Sequence, residues 1–280
     1  MKKLIQFIIS LFRKVEKEQP TKPDVEVVIN EELPTEEPVL VVEEPVEETE
    51  PIMSNNYTKI QNFQFKHGLE PDGKVGPLTA LKVKEVFSIG TIEQLSNLLG
   101  QLKHESANFT ATREGGNYSA KRMAEVWPEH FATNPKAVMK SRQPNQLAKS
   151  FVGKPVDLFN YVYADKNRKP GYKLGNIKEG DGWLFRGNGS IQTTGRSNHD
   201  LLDIFLGRVG IMDDPDLLWK EYYLECGVYY FDSKKLWGIS KKISLETTTS
   251  LTKSIQGGSL DVSKRHESVK DFYEMLKKYK

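Results

Sequence analysis

The chain holds almost no cysteine: Cys226 is the single one among 280 residues. An intrachain disulfide is therefore excluded, and so is any cysteine-built metal centre. Within "YYLECGVYYF" that residue reads as a small buried apolar side chain. Long hydrophobic runs are also lacking. The mostly apolar stretch from Leu4 to Phe12 would span only about 14 Å as a helix, against a hydrocarbon core of roughly 30 Å. The histidines, His67, His104, His130, His199 and His266, show no ligand spacing and read as surface or capping residues, so no metal is expected. Gly187 and Gly189 do not make a dinucleotide loop, because position 192 is Gln where a third glycine is needed. No cofactor is expected. Lysines and arginines are scattered rather than striped and no recognition motif occurs, which argues against a nucleic-acid partner. Val/Ile alternation is sparse beyond residue 55, which argues against a mainly β fold.

What the chain does have is a charge divided by position. Residues 1–50 carry six Lys/Arg and thirteen Asp/Glu, a net of −7, while the rest carries 34 against 25, a net of +9. A basic body suits an anionic partner such as nucleic acid, a phospholipid surface or a bacterial wall. Residues 1–15, "MKKLIQFIISLFRKV", read as a basic-flanked amphipathic anchor or targeting helix, with contact to a membrane surface expected. Residues 16–54 interleave acidic pairs with Val and Pro. Like charges repel and proline interrupts helix, so a disordered linker is expected.

Residues 55–90 predict a helical hairpin: a helix, the turn "EPDGKVGP", and a second helix entered through Pro77, with Ile60, Phe63, Leu81, Val83 and Phe87 as apolar contacts. In "GTIEQLSNLLGQLKHESANF" Thr91 and Gln94 match a capping box. Ile92, Leu95, Leu98, Leu99 and Leu102 fall on one side at 100° per residue. Glu105 lies about 20° around the helix from Leu98, at the edge of that stripe, with His104 directed away. A carboxyl there is half-buried, as suits a proton donor. Further helices are expected at "YSAKRMAEVWPEHF" (inner face Met123, Val126, Trp127), "PNQLAKSFV", "PVDLFNYVYADKN" and through much of the C-terminal third. A small β-hairpin is expected at 183–198. If extended, it would set Ser190, Gln192 and Thr194 on one face for polar ligand contact.

"FQFKHGLEPDGKVGPLT" resembles the peptidoglycan-binding helical module over about thirty residues, through Gln64, Gly68, Leu69, Asp72, Gly73, Gly76, Pro77 and Thr79. Three later stretches, "GQLKHESANF", "REGGNYSA" and "GDGWLFRGNGSIQTTGRSN", resemble glycoside hydrolase family 19 in their order, with "SIQGGSLDVSKRHESVKDFYEML" a weaker fourth. The resemblance spans about residues 90–276, and residues 91–280 are expected to form the catalytic domain.

The resemblance implies a mainly α, lysozyme-like fold and an inverting glycosidase. Glu105 corresponds to the family's general acid, Glu114 to its general base, and Thr194 to the hydroxyl that holds the attacking water. Gln192 and Asn198 match sugar-contacting or base-supporting positions, and Tyr118 and Arg186 match cleft-lining ones. Gln256 stands where the family more often has Asn, and Asn188 where many relatives have Arg. The loop between 150 and 180 is longer than usual. An inverting pair stands roughly 6.5–9.5 Å apart to admit a water. Peptidoglycan is the expected substrate over chitin, because the body is basic and the upstream motif resembles a wall-binding element. A phage-type lysin is expected, acting as a monomer at the bacterial envelope on the periplasmic side of the inner membrane.

Overall fold

One helix organises the molecule. In the computed structural model, which describes residues 57–279, it runs Ile92–Glu105. The expectations for residues 1–15 and 16–54 lie outside the described residues. In chain order the longer helices are α1 (Ile60–Lys66), α2 (Pro77–Val86), α3 (Ile92–Glu105), α4 (Ala120–Val126), α5 (Pro155–Val162), α6 (Arg196–Phe205), α7 (Tyr223–Ser233), α8 (Leu245–Gln256) and α9 (Val262–Leu276). Single turns at Pro128–Phe131, Gln146–Ser150, Asp181–Leu184 and Leu217–Lys220 join them. The architecture is mainly α, without a sheet among the described residues, and fits the lysozyme-like class.

The start of α3 is set by the expected box. Thr91 Oγ1 accepts from the Gln94 amide at 3.2 Å, and Gln94 Oε1 accepts from the Thr91 amide at 3.1 Å, which satisfies two otherwise orphan donors. Ile92, Leu95, Leu98, Leu99 and Leu102 are buried, each contributing about 1.5–3 kcal/mol of apolar burial. The opposite side is buried too. Ser96, Asn97 and Gln101 are inaccessible, and Asn97 Nδ2 donates to the Ser240 and Lys242 carbonyls at 3.0 Å each. α3 is thus a central helix that carries its own hydrogen-bonding face into the interior. Antiparallel to it, α9 presents Arg265, Val269, Phe272 and Leu276 inward. The contact closes at Gly100, where a Cβ would stand 2.8 Å from the Val269 backbone nitrogen.

Residues 57–90 share this core, since Ile60, Phe63, Ala80 and Val83 pack with the α3 leucines. Several residues that carry the upstream resemblance build the turn itself. Gln64 Nε2 donates to Asp72 Oδ1 (2.7 Å), Thr79 Oγ1 (2.9 Å) and the Lys74 carbonyl (3.0 Å), while its Oε1 accepts from the Gly73 amide at 2.8 Å. A second cluster, Met123, Ala124, Phe131, Ala148, Leu158, Phe159 and Val162, forms the 118–183 region. Val126, expected on its inner face, is exposed instead. α4 ends there and the chain turns at Trp127, so the inner face passes to Met123 and Ala124.

The expected hairpin at 183–198 is reduced to one antiparallel bridge, Asn188 with Thr193. Gln192 takes φ +52°, a left-handed value that breaks the alternation of an extended strand. Ser190, Gln192 and Thr194 consequently do not share a face. His199, expected at the surface, is fully buried on α6 beside Leu202 and Asp203. Its Nδ1 lies 2.9 Å from the Gly195 carbonyl, and burial pushes its pKa down to about 4. Cys226 is buried, as expected.

Glu225 on α7 is buried with its Oε2 lacking a hydrogen-bond partner, and burial pushes its pKa up to about 7. The ordinary value is 4.5. Below pH 4.5 both folded and unfolded chains hold the proton and burial adds no charge penalty. As pH rises to about 7 the unfolded chain releases the proton first, so stability falls across this window and the full penalty persists above it. Glu225→Gln is expected to raise Tm by roughly 5 °C at pH 8 and to leave it nearly unchanged at pH 4, read by scanning calorimetry.

Candidate active site

Glu105 closes the last turn of α3, its side chain 20% exposed. Its Oε1 lies 2.5 Å from Nη1 of Arg265, whose own side chain is only 4% exposed. Nη1 is aligned on Gln101 Oε1 at 2.8 Å, so the approach to Glu105 is a charge contact rather than a well-directed hydrogen bond. Nη2 of the same guanidinium donates to Gln256 Oε1 at 3.3 Å. Glu105, Arg265, Gln101 and Gln256 therefore form one network at the crossing of α3, α8 and α9.

The chain then leaves the helix through an unusual turn. Ala107, Asn108 and Phe109 all have positive φ, at 48°, 61° and 61°. The left-handed region costs a residue with a Cβ about 1–2 kcal/mol. Ser106 holds the turn: it is buried, its Oγ accepts from the Phe109 amide at 2.9 Å, and its carbonyl accepts from the Thr110 and Ala111 amides at 2.9 Å each. This geometry brings the segment back toward residues 186–192, where Thr112 O accepts from the Gly189 amide (3.2 Å) and Gln192 Nε2 (3.1 Å).

Glu114 follows. Tyr118 Oη donates to its Oε1 at 2.9 Å and Tyr163 Oη to its Oε2 at 2.8 Å. The Gly187 amide stands 3.4 Å from Oε2, and the Glu114 amide donates to Gly187 O at 2.7 Å. Burial, reinforced by the carboxylate, pushes the Tyr118 pKa up to about 12 and raises that of Tyr163 further. Both phenols remain donors at any working pH. Arg186 Nε donates to the Glu114 carbonyl at 3.1 Å, and its guanidinium lies 3.6 Å from the Trp183 ring centroid. Burial, with Arg113 adding to it, lowers the Arg186 pKa to about 10, so it stays cationic. A Cβ on Gly187 would meet Gln192 Oε1 at 2.8 Å and Glu114 Oε2 at 3.3 Å. Both oxygens border the small space that glycine leaves open. Thr194 Oγ1 donates to Gln192 O at 2.9 Å, and Asn198 Nδ2 to Thr194 O at 2.7 Å.

Glu114, Tyr118, Arg186, Gln192, Thr194 and Asn198 are thus gathered in one group, linked through neighbouring backbone and side chains. Gln256 belongs with Glu105 through Arg265. Ser190 does not belong: it is fully buried, because its loop turns inward where Gly189 abuts Cys226 Sγ, 2.7 Å from where a Cβ would be. Its expected role as a ligand contact is corrected to an interior one. Asn188 is likewise buried, with Nδ2 on the Pro215 carbonyl at 2.5 Å. Reading the sequence residue by residue missed Arg265 and Tyr163. Arg265 had a signal, an arginine in register with Val269, Phe272 and Leu276 on one helix face. Tyr163 had almost none.

No family model matches the chain. A protein of Haemophilus influenzae named "Glycosyl hydrolase family 19 domain-containing protein" is 28% identical to it over 176 residues, which covers 61% of this chain and 74% of that protein. With two carboxylates in separate polar settings on a mainly helical body, the chain is a distant relative of a glycosyl hydrolase family 19 domain protein.

Proposed function

We propose that this chain hydrolyses the β-1,4 glycosidic bonds of bacterial peptidoglycan with inversion at the anomeric carbon, as an endolysin-type enzyme. The observation that carries the reading is the contrast between the two glutamates. Glu105 ends a rigid buried helix against a guanidinium, and Glu114 sits under two phenol donors beside an open glycine. In this mechanism Glu105 protonates the leaving oxygen and Glu114 takes a proton from water on the far face of the sugar. Thr194 gives its own proton to Gln192 O, so its lone pairs are free to accept one O–H of that water. The other O–H points to Glu114, and Gln192 and Asn198 keep this wall in place. The Glu105 carboxylate pairs with Arg265 in the resting protein. It takes up a proton before the chemical step, and is stabilised by Arg265 again once that proton has gone to the leaving oxygen.

Peptidoglycan is preferred to chitin because the body after residue 50 carries +9 and the wall is anionic. The test is a digest of purified peptidoglycan and of chitin oligomers, analysed by mass spectrometry and by proton NMR of the first anomer formed. Reducing ends with α configuration from the wall are expected. Cleavage of chitin alone would move the substrate to GlcNAc polymers, and anhydro ends would replace hydrolysis by a single-carboxylate elimination.

The phenols give a finer expectation. Tyr163→Phe removes a hydrogen bond to a charged group, worth about 1.5 kcal/mol. It should lower kcat on peptidoglycan about tenfold with little change in KM. Tyr118→Phe should act in the same sense, both read from the fall in turbidity of a peptidoglycan suspension.

A further inference from the structure

Trp127 links the site to a cavity. Its ring centroid lies 5.0 Å from that of Tyr118 and 6.4 Å from that of Tyr163, the two phenols on Glu114. It also lines a cavity of about 510 Å³ with Val126, His130, Arg168, Lys169 and Tyr172. The mechanism above leaves this cavity unused.

Its chemistry is specific. Tyr172 is 68% exposed, so its ring is free to stack against a ligand in the cavity. Arg168 is tethered through Nε to the Tyr172 carbonyl at 2.6 Å and through Nη1 to the Val162 carbonyl at 3.4 Å, which leaves Nη2 with no protein partner. Lys169 is exposed beside it. All three charges reach the same space: burial lowers the pKa of His130, Glu129 pulls it the other way, and Arg168 and then Lys169 add smaller lowering effects. Glu129 is the one acidic residue lining the cavity. Arg168, held in place with a donor unfilled, and the exposed Lys169 together outnumber it.

We infer that this cavity is a binding subsite for an acidic N-acylated amino sugar, a pyranose bearing a carboxylate, in the strand that reaches Glu114. The flat C–H face of a pyranose covers the Tyr172 and Trp127 rings, and its carboxylate accepts from Arg168 Nη2 and pairs with Lys169. A neutral GlcNAc polymer satisfies only the aromatic half. The choice of ligand rests on the wall-hydrolase reading proposed above. The charge and aromatic surface of the cavity do not.

The probes are a purified tetrasaccharide of alternating GlcNAc and N-acetylmuramic acid and the neutral GlcNAc tetramer, titrated by calorimetry into full-length Glu114→Gln protein. Lys169→Glu in that background should weaken the acidic tetrasaccharide about tenfold and leave the neutral one unchanged. Tyr172→Ala should weaken both, with melting temperatures of all variants alike. In proteins with Glu114 intact, the same changes should raise KM on glycan strands freed of stem peptide and spare kcat. Equal affinity of the Glu114→Gln protein for the two oligomers, or acidic-oligomer binding indifferent to Lys169→Glu, would overturn the subsite while wall cleavage could still stand. Selective loss of the acidic oligomer in a protein that cleaves no wall would sustain the subsite and remove the hydrolase reading.

Discussion

Replacing Glu114 by Gln should reduce peptidoglycan hydrolysis to about a thousandth of the wild-type rate, and Glu105→Gln should do the same, because positioned acid and base groups each contribute about 10²–10⁴-fold. The two variants should differ in stability. Glu114 is held by phenols that can rotate to accept from an amide, so Glu114→Gln is expected to melt within a degree or two of wild type. Glu105 faces a guanidinium whose side chain is 4% exposed, and Glu105→Gln leaves that cation with only the Gln101 and Gln256 oxygens. Removing one partner of a buried pair costs about 3–5 kcal/mol. The 20% exposure of Glu105 lets water screen part of that, so a drop of roughly 5 °C in Tm is expected. Assays at 15 °C, well below melting, separate lost chemistry from lost fold. Wild-type lysis by both variants would mean that these carboxylates do no chemistry, and wall binding without lysis by wild type and variants alike would mean that the chain only binds walls.

The second large effect is expected at Gly100, far from any sugar. Its Cβ would lie 2.5 Å from Val269 Cγ2, 2.8 Å from Val269 N and 2.9 Å from Val269 Cα. The side chain can rotate away, but backbone atoms cannot, so Gly100→Ala has to push α9 off α3. Overpacking of this kind costs about 3 kcal/mol, a fall of roughly 10 °C in Tm for a chain of this size. Function should suffer beyond the stability loss, because Arg265 lies one helical turn from Val269 and its grip on Glu105 depends on that crossing. Gly258→Ala, where nothing lies within 4 Å of the added carbon, is the control and should change Tm by little. A Gly100→Ala protein with wild-type melting and wild-type kcat would show that the helices can separate without moving the site.

Several features were legible because they are local. The Thr91 box, the leucine stripe of α3 and the position of Glu105 at its end follow from spacing within a few turns, and each stands in the structure where spacing put it. The turn read at 70–77 was legible for the same reason, and the structure turns between α1 and α2 there. Even a local pattern can fail, however. α8 runs through "LETTTSLTKSIQ", whose threonines are poor helix formers. It holds because Thr248, Thr249 and Thr252 return their hydroxyls to carbonyls four residues back, and because Thr248 and Thr252 are buried against the body.

By itself, then, the sequence determined a mainly helical chain, the extent of its central helix and the residue at that helix's end. Hydrophobic period and capping act between neighbours along the chain. Only the tertiary structure decided what faces the two glutamates. Arg265 meets Gln101 across 164 positions and Tyr163 meets Glu114 across 49. The inward turn that buries Ser190 and the left-handed φ of Gln192 likewise depend on packing against distant residues. Helical period says that a residue points inward, but the partner waiting there is chosen by how whole elements pack.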